Sequence, residues 1–130
     1  MNNSEKSRRI LIIEDDPDSA VSLKILLEMQ KYTIEVAYDG ESGIDKSLDF
    51  APEIIICDIG LPGGLDGYDV AKIVRENELL KSATLIALSG YGQKEDVQKS
   101  IEAGFDFHLV KPPDFDKLFD LILADKKSHE

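Results

Sequence analysis

Residues 54–62 read Ile-Ile-Ile-Cys-Asp-Ile-Gly-Leu-Pro, and this stretch decides how the chain folds. Its short apolar run, rich in β-branched side chains, is typical of a strand that is buried on both faces of a parallel sheet. The run ends on Asp58, and Gly60 and Pro62 then stop the strand. In open α/β sheets, ligands bind at the carboxyl ends of the strands, so this position favours a binding or catalytic role for Asp58. Taken alone, Asp58 is explained more simply as a turn residue. The residues at the other strand ends decide between this interpretation and a binding or catalytic role.

The composition indicates a single folded domain with a large negative charge. The chain has 130 residues, of which 42% are hydrophobic, enough for one core. Its net charge of −11 favours cations and disfavours nucleic acid as a direct partner, because phosphate backbones are bound through Lys and Arg. Cys57 is the only cysteine, which excludes an internal disulfide and a cysteine-rich metal site. No signal peptide or membrane-spanning segment is predicted, and we expect a cytoplasmic protein with no membrane contact.

Five strands and five helices are predicted to alternate along the chain. Alternation with short links is typical of a parallel sheet whose crossover connections are right-handed. Residues 1–7 and 127–130 are expected to be disordered tails around one domain at 8–126. The strands are predicted at 10–13, 32–37, 54–58, 83–88 and 106–110. The helices are predicted at 18–30, between 40 and 51, at 68–77, at 93–103 and from 115 onward.

Two of the predicted helices carry further expectations about their faces. In the first helix, Val21, Ile25 and Met29 lie off the inward apolar stripe, either as a partner surface or as ordinary exposed side chains. In the fourth helix, Val97 and Ile101 are predicted to point inward.

Polar or charged side chains stand at the ends of four of the five strands. Glu14 and Asp15 follow the first strand, Asp58 ends the third, Ser89 follows the fourth and Lys111 follows the fifth. Because the carboxyl ends of parallel strands share one edge, we expect these side chains to lie together. Each has a structural explanation of its own, as a helix-capping acid, a turn hydroxyl or a solvated charge. The set as a whole indicates a functional site.

The chemistry of this set points to metal-assisted phosphoryl transfer. Clustered carboxylates repel one another unless a cation lies between them, and oxygen ligands with room for water suit Mg²⁺ (or Mn²⁺). Asp58 is then a carboxylate nucleophile of the aspartyl-phosphate type. Lys111 and the metal would offset the charge of the phosphoryl group, and Ser89 would donate a hydrogen bond to it. Gly60 would let its backbone carbonyl approach the metal closely.

Several segments of the sequence occur together in one known family. They are ILIIEDDP at 10–17, PEIIICDIGLP at 52–62, Asp66-Gly67, LIALSGY at 85–91 and HLVKP at 108–112. Over residues 9–124 the chain resembles a response-regulator receiver domain of two-component phosphorelay signalling, and its later segments most resemble receivers associated with hybrid histidine kinases. The resemblance implies a flavodoxin-like (βα)5 fold, a three-layer sandwich whose five-stranded parallel sheet has the order 2-1-3-4-5.

The resemblance also implies roles for the strand-end residues. Asp58 would accept a phosphoryl group from a sensor histidine kinase or a histidine phosphotransfer protein, and Ser89 and Lys111 would bind that group. Ser89 and His108 would switch the surface of the fourth helix, fifth strand and fifth helix, which would contact an output domain or protein. The chain would catalyse only its own phosphorylation and dephosphorylation. The residues implied to bind Mg²⁺ are Glu14, Asp15, Asp58 and Gly60, the last through its carbonyl.

The chain departs from the usual family pattern in three places, the first of which is Glu14, an acid that is common in the family but longer than Asp. The loop at 62–67 is one residue longer, and since the extra glycine lies beyond Pro62 the metal site is expected to be unchanged. His108 stands where a switching aromatic ring is usual, and a strand-end histidine without a switching role is the alternative. Tyr91, two residues after Ser89, is expected to shield the phosphorylated aspartate from water.

Three other functions are alternatives to the receiver interpretation. A phosphatase of the haloacid dehalogenase type needs a second Asp two residues after its nucleophile, where this chain has Gly60. A flavodoxin-like or dinucleotide-binding protein is disfavoured because Glu14 and Asp15 replace a G-x-G-x-x-G loop after the first strand and would repel a phosphate. A receiver-like interaction module that signals without phosphorylation stays open as the main alternative.

Overall fold

The computed structural model describes residues 7–90 and 94–125, with the backbone alone at 94–96. The strands are β1 (Arg9–Ile13), β2 (Thr33–Ala37), β3 (Ile54–Asp58), β4 (Thr84–Ser89) and β5 (Phe107–Val110). The helices are α1 (Pro17–Met29), α2 (Gly40–Phe50), α3 (Gly67–Glu76), α4 (Lys94–Ala103) and α5 (Phe115–Ala124). None of the helices in these ranges has both the length and the apolar character needed to span a bilayer. The predicted tails lie outside the described residues except for Ser7, whose hydroxyl donates a hydrogen bond of 2.8 Å to the carbonyl of Lys31.

The five strands form one parallel sheet in the order β2-β1-β3-β4-β5. β3 lies at the centre, where Ile56 pairs with Ile12 of β1 and with Ile86 of β4. Every residue of β3 is buried, which is what a continuous apolar strand between two covered faces requires. The predicted fold class and strand order are confirmed.

Alternate residues of the central strand face two separate hydrophobic layers. Ile54 and Ile56 contact the apolar side chains of α1 and α5 on one face of the sheet. Ile55 and Cys57 face the opposite layer, which α3 and the end of α4 cover together with α2. The fold is therefore a three-layer sandwich, with the sheet between two layers of helices.

Aspartate side chains begin three of the helices. Asp39, Asp66 and Asp114 each accept a hydrogen bond from a backbone N–H in the first turn of α2, α3 and α5. In α3 the carboxylate of Asp69 also accepts a hydrogen bond from the N–H of Asp66, which completes a capping box. These caps fix where the helices begin relative to the strand ends that precede them.

The inward face of α4 differs from the prediction. Ile101 is 57% exposed, so its predicted inward position is wrong, and Val97 is half-buried. Ser100 and Ala103 are buried instead. The hydroxyl of Ser100 donates to the carbonyl of Val97 and also contacts the ring of His108, which allows a polar side chain to be buried. A hydrophobic pattern ranks serine as an outward residue and therefore cannot find this face.

Gly67 holds the start of α3 against the end of β3. A Cβ atom at this position would lie 2.6 Å from the carbonyl oxygen of Asp58 and 2.6 Å from the Cα of Ile59, so the backbone would have to shift. We expect Gly67→Ala to lower the free energy of unfolding by roughly 1–3 kcal/mol, measured by urea denaturation. Gly64→Ala is the matched control, since nothing lies within 4 Å of a Cβ atom there. Equal stabilities of the two variants would contradict the expectation.

Candidate functional site

The carboxyl edge of the sheet brings the predicted acids and the predicted lysine together. Glu14 follows β1, Asp58 ends β3 and Lys111 follows β5. Glu14 and Asp58 are only 2% and 6% exposed, whereas Asp15 is exposed. They meet because β1 and β3 are neighbours in the sheet and because all strands end at the same edge.

The ammonium group of Lys111 bridges two buried carboxylates. Its Nζ lies 2.7 Å from Oε1 of Glu14 and 2.9 Å from Oδ2 of Asp58. The second oxygen of each acid accepts a backbone hydrogen bond. Oε2 of Glu14 accepts from the N–H of Asp16 at 3.0 Å, and Oδ1 of Asp58 accepts from the N–H of Gly60 at 2.9 Å. Both carboxylates are thus held in a defined orientation by one cation and two amides.

Burial and charge shift the acidities of the site in different directions. Burial raises the pKa of Glu14, and the Asp58 charge adds to this against the opposing effects of Lys111 and the Asp16 amide. Burial alone would lower the pKa of Lys111, but its hydrogen bonds to Glu14 and Asp58 outweigh that and raise the pKa above its ordinary value. Lys111 therefore stays positively charged at neutral pH. Burial also raises the pKa of the Cys57 thiol, so this side chain is a poor nucleophile.

Three carboxylates of this edge are close enough to share a metal ion. Oxygen atoms of Glu14, Asp15 and Asp58 lie within 4.8 Å of one another. Such oxygen ligands suit Mg²⁺, which takes one or two carboxylates and keeps several waters. The exposure of Asp15 leaves that side of the cluster accessible to water. Gly60 contacts Asp58 through its N–H, and the predicted role of its carbonyl as a metal ligand stays a prediction.

Ser89 and His108, the predicted switch residues, form a hydrogen-bonded chain with a third residue. Oγ of Ser89 lies 2.8 Å from Nε2 of His108, and Nδ1 of His108 lies 2.9 Å from Oγ of Ser100. The Ser89 carbonyl also accepts a hydrogen bond of 2.7 Å from the N–H of Lys111. Sequence reasoning missed Ser100, whose only signal was a polar residue three positions after Val97 on the inward side of a helix. The predicted shielding residue, Tyr91, lies outside the described residues.

A groove of about 450 Å³ opens beside the acidic cluster, and the sequence analysis did not anticipate it. Its lining residues come from α1, the start of α5 and the strand ends, and they include Glu14 and Lys111. Leu23, Pro113 and Phe115 are among its apolar lining residues. On α1, the row formed by Val21, Ile25 and Met29 is 43%, 51% and 67% exposed, so these side chains are off the inward stripe as predicted.

Comparison with known proteins gives a consistent set of relatives. Residues 10–123 match the model of the response regulator receiver domain. The chain is 33% identical over 116 residues to the DNA-binding dual master transcriptional regulator RpaA of Synechocystis, a match that covers 89% of this chain and 48% of that protein. The chain spans about half the length of the curated relatives it matches.

Solved structures resemble the whole described fold. A two-component response regulator from Clostridium difficile is 26% identical with a TM-score of 0.84, over 91% of this chain and 94% of that chain. The receiver domain of a sensor histidine kinase from Pseudomonas aeruginosa, which has a magnesium ion coordinated in its active-site cleft, is 25% identical with a TM-score of 0.82. That match covers 90% of this chain and 95% of the other.

Glu14 is expected to make the stability of the chain depend on pH. Its folded-state pKa lies above the ordinary value of 4.5, so the folded chain binds this proton more tightly than the unfolded chain. The free energy of unfolding therefore falls as the pH rises from 4.5 through the folded-state pKa. Glu14→Gln removes this loss, because the amide keeps the shape of the side chain and carries no charge.

The measurement is urea unfolding of Glu14→Gln and the wild type in EDTA, between about pH 4 and 8. The free energy of unfolding of the variant minus that of the wild type should increase as the pH rises from 4.5 through the folded-state pKa of Glu14. Above that pH the difference should stay constant. Asp18→Asn, at an exposed acid in the first turn of α1, is the matched control for the loss of one negative charge. A difference between Glu14→Gln and the wild type that does not vary with pH would contradict the assignment.

Proposed function

Since the chain belongs to the response regulator receiver domain family, we propose that Asp58 accepts a phosphoryl group from a phosphohistidine and that this modification switches a distant surface. One observation carries the proposal. A buried carboxylate ends the central strand, with a lysine ammonium 2.9 Å away and two further acids beside it. The chain is then a signalling phosphoacceptor that catalyses only its own phosphorylation and dephosphorylation.

In the transfer step, a carboxylate oxygen of Asp58 attacks the phosphorus atom of the donor. An O–P bond forms while the N–P bond of the phosphohistidine breaks, and the imidazole leaves with the electron pair of that bond. Lys111 offsets negative charge on the phosphoryl oxygens, and the N–H of Gly60 keeps Asp58 oriented. Mg²⁺ (or Mn²⁺), bound by Glu14, Asp15, Asp58 and the carbonyl of Gly60, would supply further charge compensation at the same group.

After transfer, Lys111 and Ser89 bind the new phosphoryl oxygens. Hydrogen bonds of this kind contribute about 1.5–3 kcal/mol each, and a nearly complete two-state shift needs about 5.5 kcal/mol. Both residues already have partners, since Lys111 pairs with Glu14 and Asp58 and Ser89 contacts His108. Part of each new bond is therefore exchanged for an old one, and the expected shift is large but incomplete.

The surface that responds is formed by α4, β5 and α5. Ser89 is the last residue of β4 and leads into α4, while Lys111 follows β5 and leads into α5. Movement of either side chain toward the phosphoryl group therefore acts on the elements that follow it. An output domain or output protein would bind this surface, in keeping with relatives that are about twice as long as this chain.

The phosphoryl donor would be a sensor histidine kinase or a histidine phosphotransfer protein that contacts α1. The exposed row Val21, Ile25 and Met29 offers apolar contacts on this helix, and α1 begins three residues after Glu14. Glu14 and Lys111 also line the groove between α1 and α5. A partner seated on α1 would thus place its phosphohistidine at the carboxyl edge of the sheet.

We expect incubation with acetyl phosphate and Mg²⁺ to add one phosphoryl group to the chain, measured by intact-mass spectrometry. Asp58→Asn should abolish the adduct, and EDTA should suppress it in the wild type. Asp18→Asn is the matched control, because this exposed aspartate lies outside the acidic cluster, and it should be labelled like the wild type. An adduct that persists in Asp58→Asn would refute the assignment. No adduct from either acetyl phosphate or a phosphohistidine donor protein would favour an interaction module that signals without phosphorylation.

Ile25→Glu is expected to slow transfer from a phosphohistidine donor protein about tenfold, through loss of roughly 1.4 kcal/mol of docking energy. Labelling by acetyl phosphate should be unchanged, because that small donor needs no docking surface. Leu79→Glu is the control at an apolar side chain that is 80% exposed in the α3–β4 connection, away from α1. Equal slowing in both variants, or none in Ile25→Glu, would exclude α1 as the docking surface.

A further inference from the structure

A buried chain of side chains links the proposed phosphoryl site to the inside of α4. Ser100 is fully buried on α4, His108 lies on β5 and Ser89 ends β4. The three are joined by hydrogen bonds of 2.9 Å, between Ser100 and His108, and 2.8 Å, between His108 and Ser89. Each contact crosses from one element to another, so the chain connects α4, β5 and β4.

The hydrogen of the Ser100 hydroxyl is already used. Oγ of Ser100 donates to the carbonyl of Val97 at 2.7 Å, and a hydroxyl carries a single hydrogen. Oγ of Ser100 can therefore only accept from the ring of His108. The hydrogen between these two groups belongs to Nδ1 of His108, which selects one tautomer of the neutral imidazole.

This tautomer determines what Ser89 can do. With Nδ1 protonated, Nε2 of the neutral ring has a lone pair and accepts a hydrogen bond. The Ser89 hydroxyl, 2.8 Å away, is then the donor, and its only hydrogen is directed at His108. A phosphoryl oxygen on Asp58 is also an acceptor and needs the same hydrogen.

We propose that Ser100 is a positioning residue that fixes the tautomer of His108, holds the Ser89 hydroxyl as a donor to that ring, and so opposes phosphoryl binding by Ser89. The proposal rests on the proposed function of Asp58. Binding of Ser89 to a phosphoryl group breaks its bond to Nε2 and removes one of the hydrogen bonds that orient the His108 ring, which also contacts Ser100 of α4. The same bond thus resists activation and transmits it to α4.

The first test is a long-range ¹H–¹⁵N correlation spectrum of the imidazole at a pH where the ring is neutral. The chain has two histidines, and His129→Gln leaves His108 as the only one. We expect the Nδ1–H tautomer in this background, a shift toward Nε2–H in Ser100→Ala, and retention of Nδ1–H in Ser100→Thr, which keeps the hydroxyl. An Nε2–H tautomer in His129→Gln, with Ser100 intact, would overturn the proposal. That spectrum does not depend on whether a Ser100 variant folds. An unchanged tautomer in Ser100→Ala would also overturn it.

The second test measures the consequence for phosphorylation. With acetyl phosphate and Mg²⁺, the ratio of phosphorylated to unphosphorylated chain at steady state should rise about fivefold in Ser100→Ala, the effect of one lost hydrogen bond. Ser100→Thr should match the wild type. An unchanged ratio in Ser100→Ala would overturn the proposed opposition to phosphoryl binding. Absence of labelling in the wild type would instead refute the function of Asp58, while the spectrum decides the role of Ser100 independently.

Discussion

The carboxyl edge of the sheet depends on the ammonium group of Lys111. Two almost fully buried carboxylates lose solvation and repel each other, and a positive charge 2.7 and 2.9 Å from them offsets both effects. Backbone amides bind the remaining oxygen of each acid. The raised pKa of Glu14 shows that this compensation is incomplete, because burial outweighs the favourable contacts. Additional positive charge at this edge would therefore be stabilising, and a divalent cation would supply it.

In the proposed switch, the parallel sheet would carry a local charge change at Asp58 to a distant surface. Asp58, Ser89 and Lys111 stand at the ends of three adjacent strands. A group added to Asp58 would therefore be close to the ends of both β4 and β5. Hydrogen bonds from Ser89 to His108 and from His108 to Ser100 connect this edge to the buried face of α4. Packing contacts alone would transmit such a change less specifically, since only hydrogen bonds require a defined donor and acceptor.

Sequence reasoning succeeded where local chemistry and chain position were enough. The apolar run at Ile54–Asp58 predicted a central strand because a short continuous run of β-branched residues is typical of a strand covered on both faces, and all five of its residues are buried. It failed at α4, where Ile101 is exposed and Ser100 is buried, because the inward face there is chosen by a hydrogen bond to His108 rather than by hydrophobicity. The groove beside α1 was missed for a related reason. Its walls come from α1 and the start of α5, which are remote in sequence.

The sequence by itself determined the alternation of strands and helices, the strand-end positions of Glu14, Asp15, Asp58, Ser89 and Lys111, and hence their shared edge. These follow from periodicity and from the rule that parallel strands end together. The tertiary structure alone decided that Lys111 bridges Glu14 and Asp58 and that the Ser100 hydroxyl contacts the ring of His108. Distances of this kind depend on how the helices rotate and pack against the sheet, and no local pattern along the chain contains that information.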